Sequence, residues 1–79
     1  PSPPPFLTPH CPGTMEGVNI EALLSKVIHY YIYVWVEDGP SFWMFPTNLS
    51  DEGLLAGYIW TREQWSEHAV LSSSICCFA

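Results

Sequence analysis

The sequence predicts an α+β fold: a short N-terminal amphipathic helix, then a four-stranded antiparallel β-meander, curled as a bent sheet or half-open barrel. Three observations carry that prediction. Residues 30–36 (Tyr-Tyr-Ile-Tyr-Val-Trp-Val) and 42–45 (Phe-Trp-Met-Phe) are aromatic and β-branched runs, the residue types that fit a pleated, half-buried surface. Between them stands Asp38-Gly39-Pro40, turn chemistry of the kind that joins hairpin strands. Residues 19–28 form the one window with a helical period.

At 79 residues the chain is one domain, preceded by a tail over residues 1–13 and occupying residues 14–79. The tail holds six of the eight prolines. Proline removes backbone donors and favours extended polyproline geometry, so this segment stays out of the core. Pro9-His10-Cys11-Pro12 has the Pro-x-x-Pro spacing that docks in aromatic grooves, a match that Pro-rich tails also make by chance.

The helix comes next. Asn19 is placed to cap it, with Glu21 in the first turn where negative charge complements the dipole. Ile20, Leu23, Leu24, Val27 and Ile28 recur at helical spacing and form one apolar stripe. A helix of two to three turns is marginal alone, so the stripe must lean on the sheet.

In the first strand, Tyr31, Tyr33 and Trp35 share one face and Tyr30, Ile32, Val34 and Val36 the other. The aliphatic face suits the core. Pro40 cannot donate to a ladder, which favours a loop over residues 38–41. Pro46 ends the second strand by the same logic. Residues 47–53 read as a polar connector. Residues 54–60 form the third strand, with Gly57 at a bulge or close approach. Residues 61–67 read as a hairpin loop or one helical turn capped by Thr61. The fourth strand runs over residues 68–78, and its polar middle, Ser72-Ser73-Ser74, marks an edge or a kink.

The order Tyr-Ile-Tyr-Val-Trp, Asp-Gly, Phe-Trp-Met-Phe-Pro-Thr and Ala-Gly-Tyr-Ile-Trp over residues 30–60 resembles small single-domain proteins of Gram-positive bacteria. Those share an aromatic-Val strand, an Asn/Asp-Gly turn, a Phe-Trp-x-aromatic-Pro-Thr strand and a Gly-aromatic-x-Trp strand. Residues 74–78 echo them more weakly. The resemblance implies the meander and a bacterial source; it implies no activity. The acidity of this chain departs from such proteins, which are often basic.

Charge narrows the functions. Eight acidic residues stand against Lys26 and Arg62, for a net charge of −6. Two isolated cations cannot make the basic stripe that phosphates need, so neither nucleic acid nor an anionic membrane surface is expected as partner. No apolar run approaches the roughly 20 residues of a membrane span, and no stretch has a signal-peptide layout. The absence of Met at Pro1 leaves room for an upstream segment. Cytoplasm is the favoured compartment.

Chemistry-bearing residues are few. Cys11, Cys76 and Cys77 are an odd number and make no disulfide framework. They read as one buried hydrophobe and free thiols; a Cys11 link to the last strand needs an oxidising compartment. His10-Cys11 and Cys76-Cys77 are adjacent pairs without structural-zinc spacing. A site drawn from His10, Cys11, Cys76 or Cys77 and His68 requires the fold to gather them, so no metal or other cofactor is expected. His29 reads as a solvated or hydrogen-bonded strand-end residue. Cys77, His68 and Glu67 have the types of a nucleophilic triad, but there is no nucleophile elbow or phosphate loop. Asn48-Leu49-Ser50 fits a glycosylation acceptor, and the last four residues have the outline of a prenylation box without basic support.

The expected function is therefore non-enzymatic: a protein-interaction module, for a foreign partner or for itself as a homodimer, using an aromatic sheet face or its acidic rim. Tyr31, Tyr33, Trp35, Trp43, Tyr58 and Trp60 are the candidate binding residues, because Tyr and Trp anchor interfaces. The alternatives are an aromatic-lined domain for a small ligand, such as a sugar or cationic group, and a metal-binding protein.

Overall fold

A computed structural model describes Pro4, residues 19–37 and residues 39–79. The tail over residues 1–13 and the Asp38 turn position lie outside the described residues, Pro4 excepted. Asn19 caps α1 (Ile20–Leu24) as expected, its side-chain oxygen accepting from the Ala22 N–H at 3.2 Å. The helix is shorter than the stripe, a correction to the two or three turns expected. After Leu24 the chain continues in tighter turns: the Val27 N–H donates to Leu24 and the Tyr30 N–H to Val27. The β-branched pair Val27-Ile28 is stiff in a helix, and His29 takes φ 69° to redirect the chain into the sheet. The stripe still does its work. Leu24 is fully buried, and Ile20, Leu23, Val27 and Ile28 pack on the core from half-buried positions.

Five antiparallel strands follow, β1 (Ile32–Val36), β2 (Phe42–Leu49), β3 (Leu54–Thr61), β4 (Gln64–Leu71) and β5 (Ile75–Phe78), in the spatial order β4-β3-β2-β1-β5. The meander is present, but the expected fourth strand is two. Ser72–Ser74 form a 3-10 turn that separates β4 from β5, and β5 crosses to pair with β1. The two strands are opposite edges of the order, yet Leu71 and Ile75 are four Cα steps apart, at most ~15 Å. Four strand spacings of a flat sheet cover ~19 Å. The sheet therefore bends, while staying open between β4 and β5.

Two local corrections concern Pro46 and the β3–β4 turn. Pro46 does not end β2. His29 donates its N–H to the Pro46 carbonyl at 2.7 Å, and a residue's N–H and C=O leave a strand on the same side. The missing donor thus faces the lead-in to β1, where the regular ladder, which starts at Ile32 opposite Met44, has not begun. On the other side Pro46 stands opposite Gly57, at a register shift between Pro46 and Asn48. The bulge is where a sheet admits proline. Gly57 fulfils the close approach expected of it: a Cβ there would lie 2.3 Å from the Phe45 carbonyl oxygen.

The loop expected over residues 61–67 is a two-residue turn. Thr61 pairs with Gln64, and Arg62 and Glu63 have φ 49° and 64°. Such turns normally carry Asn-Gly or Asp-Gly, so Arg-Glu gives no sequence signal. Replacing them (Arg62→Asn with Glu63→Gly) is expected to stabilise the domain by about 1 kcal/mol by relieving left-handed strain. A higher denaturant midpoint at unchanged m-value would show it; an unchanged midpoint would mean that the turn is unstrained.

The core lies on one face of the sheet. Ile32, Val34, Met44 and Leu55 are 0–3% exposed and meet Leu24, Ile75 and Phe78. Tyr30, expected beside them, is instead 64% exposed, because the strand begins two residues later. A polar clasp holds helix to sheet. The Ser72 hydroxyl donates to Glu21 Oε1 at 3.2 Å, and the Ser72 N–H donates to the Gly53 carbonyl at 2.8 Å. Gly53, at φ 83°, leaves the room: a Cβ there would meet Ser72 Oγ at 3.0 Å and Glu21 Oε1 at 3.2 Å.

Candidate binding face

Because Ile32, Val34, Met44, Leu55 and Ile59 point to the core, strand alternation sends their neighbours to the opposite face. All six candidate residues fall there: Tyr31, Tyr33 and Trp35 along β1 and its lead-in, Trp43 on β2, Tyr58 and Trp60 on β3. None is buried; Tyr31 is 38% exposed and the other five are half-buried. Register explains their meeting, since Tyr33 stands opposite Trp43 and Trp60 opposite Trp65.

The rings form two groups. Tyr33 touches Trp35 at a centroid distance of 4.9 Å and Trp43 at 5.1 Å, both edge-on. Trp60 meets Trp65 edge-on at 5.2 Å, Trp65 meets Tyr31 at 5.8 Å, and Tyr31 meets Phe45 at 5.2 Å. Edge-to-face pairs of this kind contribute about 0.5–1.5 kcal/mol beyond the area they bury. Phe45 and Trp65 belong to the face but were not among the predicted residues. Alternation from Trp43 points to Phe45; Trp65 was hidden by the loop expected over residues 61–67. Among the described residues the buried Trp43 Nε1 has no hydrogen-bond partner, and an unmet neutral donor costs about 1–3 kcal/mol.

The face has a shallow depression of about 420 Å³ beside the β2 bulge, lined by Thr47, Ala56, Tyr58, Glu67 and Ala69 among others. Small residues next to a large ring make it. Its rim carries Glu67, and Leu54 and Leu71 extend the apolar surface at 37% and 55% exposure. On the core side, a second cavity of about 410 Å³ opens among Val36, Pro40, Phe42, Ile59, His68 and Val70, with the His68 and Phe42 rings 6.4 Å apart.

The fold does not assemble the nucleophilic trio. His68, opposite Gly57, lies on the core side; Glu67 points the other way, and Cys77 lies opposite Trp35. Cys77 is disulfide-bonded and Cys76 is free, which corrects the free-thiol reading and removes the Cys77 thiolate as a metal ligand. Among the described residues no three His, Cys, Asp or Glu side chains gather into a metal site; His10 and Cys11 lie outside them. No described helix is long and apolar enough to cross a membrane.

These elements define a class: a bent five-stranded antiparallel sheet with a helix on one face and two groups of aromatic rings on the other. No family model, no curated protein and no solved structure matches the chain.

Proposed function

We propose that the chain is a non-enzymatic interaction module whose aromatic sheet face receives a protein partner. The observation that supports this reading is the asymmetry of the sheet. One face packs Leu24 and its neighbours into the buried core, while the other carries two groups of aromatic rings, all of them half-buried or exposed. A rigid Tyr/Trp surface loses little conformational freedom on binding, which is why such residues act as anchors. The exposed carboxylates of Glu37, Glu63 and Glu67 favour a partner with basic groups, which can also rest on the rings. The partner is a foreign protein or a second copy of this chain. The disulfide at Cys77 favours an oxidising compartment over the cytoplasm.

The test places a photo-crosslinking residue, benzoylphenylalanine, at Tyr58 and, as control, at Lys26. Irradiation in cells of the natural source is expected to yield a discrete protein adduct from Tyr58 and none from Lys26. An adduct of twice the chain mass identifies a homodimer. Equal, diffuse labelling from both positions would sink the reading.

A second reading rests on the core-side cavity. Its volume falls in the range of small-ligand sites, about 300–1,000 Å³, and Phe42 with His68 offers an aromatic wall and a hydrogen-bonding group. A small apolar ligand with one polar group fits it. Phe42→Ala would weaken such binding and leave Tyr58 crosslinking intact.

A further inference from the structure

The two edges of the sheet differ. β5, at one end of the order, has four residues, and its pairing with β1 shifts register between Trp35 and Val36. Short, irregular edge strands resist joining another sheet. β4, at the other end, has eight residues that pair one for one with β3, without a shift. It contains neither lysine nor proline, and Glu67, His68 and Ala69 are all exposed. Among the described residues no strand pairs with its outer side.

The turn at Arg62-Glu63 fixes which groups face outward. Thr61 and Gln64 close it as a hydrogen-bonded pair, the geometry of a two-residue hairpin turn. Alternation along the ladder then turns the N–H and C=O of Ser66, His68 and Val70 toward β3. The phase holds past the end of the strand, where the Ser72 N–H donates to Gly53. The main-chain groups of Glu67 and Ala69 therefore point away from the sheet. Leu71 is in the same phase, its carbonyl accepting from the Ser74 hydroxyl at 2.8 Å.

We propose that β4 pairs antiparallel with β4 of a second copy of this chain, across a two-fold axis at His68. The strand's own pattern selects this occupant. Outward groups meet outward groups only when the axis falls on a residue. An axis at Glu67 would set two carboxylates face to face, and like charges directly opposite are destabilising. An axis at Ala69 would put Trp65 opposite Ser73, beyond the strand. At His68 the whole strand overlaps. Glu67 then stands opposite Ala69 of the second copy and exchanges both hydrogen bonds with it. Trp65 stands opposite Leu71 of the second copy, covering a side chain that is 55% exposed in the single chain. Such an interface is self-complementary and closes at two chains. Residues opposite each other share a face, so the aromatic rings of both copies lie on one side of a joined sheet. The inference concerns the edge and stands apart from what the aromatic face receives.

The full chain at pH 8 tests this. Its mass is expected to double as concentration rises, with no disulfide-linked band on a non-reducing gel. Hydrogen exchange at the Glu67 and Ala69 amides is expected to slow by about tenfold once about nine chains in ten are paired, because exchange then passes through the separated chain. The Val70 amide, facing β3, stays protected throughout. Ala69→Pro removes an outward donor and spares the β3 ladder, the one setting in which an edge strand admits proline. It is expected to keep the single mass where the parent pairs. A single mass at every concentration would overturn the pairing. So would a doubled mass with unprotected Glu67 and Ala69 amides, or a folded Ala69→Pro chain that still pairs. The exchange measurement needs no variant, so it decides the matter even where Ala69→Pro fails to fold. Crosslinking at Tyr58 reads the face separately: pairing with diffuse Tyr58 labelling would sink only the face reading, and a foreign adduct on an unpaired chain only the edge.

Discussion

Gly57→Ala is expected to lower the melting temperature by more than 10 °C. Its added Cβ would stand 2.3 Å from the Phe45 carbonyl oxygen, 2.7 Å from Pro46 Cα and 3.0 Å from the Thr47 nitrogen. All three are backbone atoms, so no side chain can rotate away, and the β2 bulge must open. Overpacking costs about 1–3 kcal/mol where side chains can give; here the cost lies at or above the top of that range. A chain of this length has a total stability of about 4–12 kcal/mol, and each kcal/mol moves the midpoint by about 4–8 °C. Thermal unfolding followed by circular dichroism checks it. A midpoint within about 2 °C of the parent would mean that the bulge is not strained by a methyl group.

Leu24→Ala is expected to cost about 2–5 kcal/mol, the range for emptying a filled core position. Leu24 is the only fully buried residue of α1, and a five-residue helix has no stability of its own. Losing that contact frees the helix and, with it, the Glu21–Ser72 hydrogen bond. The local signature is faster hydrogen exchange at the Ser72 amide, which donates to Gly53. Leu23→Ala, at a half-buried position, is expected to cost clearly less. Equal losses for the two would mean that α1 is held by the clasp and not by Leu24.

The same residues show why parts of the fold were readable in advance. Alternation in β1 separates Ile32 and Val34 from Tyr33 and Trp35, because one-sided burial selects apolar residues at every second position. That rule placed Tyr31, Tyr33 and Trp35 on one face; strand register brought Trp43, Tyr58 and Trp60 to the same side. Gly57 was readable because an isolated glycine in a strand marks a close approach. Pro46 misled, because its missing donor matters only if a neighbouring strand asks for it, and the start of β1 decides that. Arg62-Glu63 misled because the sheet imposed a left-handed turn on residues that do not request one. The three serines signalled a kink without saying where the chain goes next.

By itself the sequence determined the strand-forming runs, the Asn19 cap, the apolar stripe on α1 and the two-faced character of β1. These depend on neighbours within a few residues, through steric and periodic effects that travel along the chain. Only the tertiary structure decided that β5 crosses to β1, that the sheet bends to bring its edges together, and that Cys77 lies buried beside Trp35 in a disulfide. Each joins residues far apart in the chain. Burial and pairing energies are set by what comes to lie opposite, and local preference does not encode that.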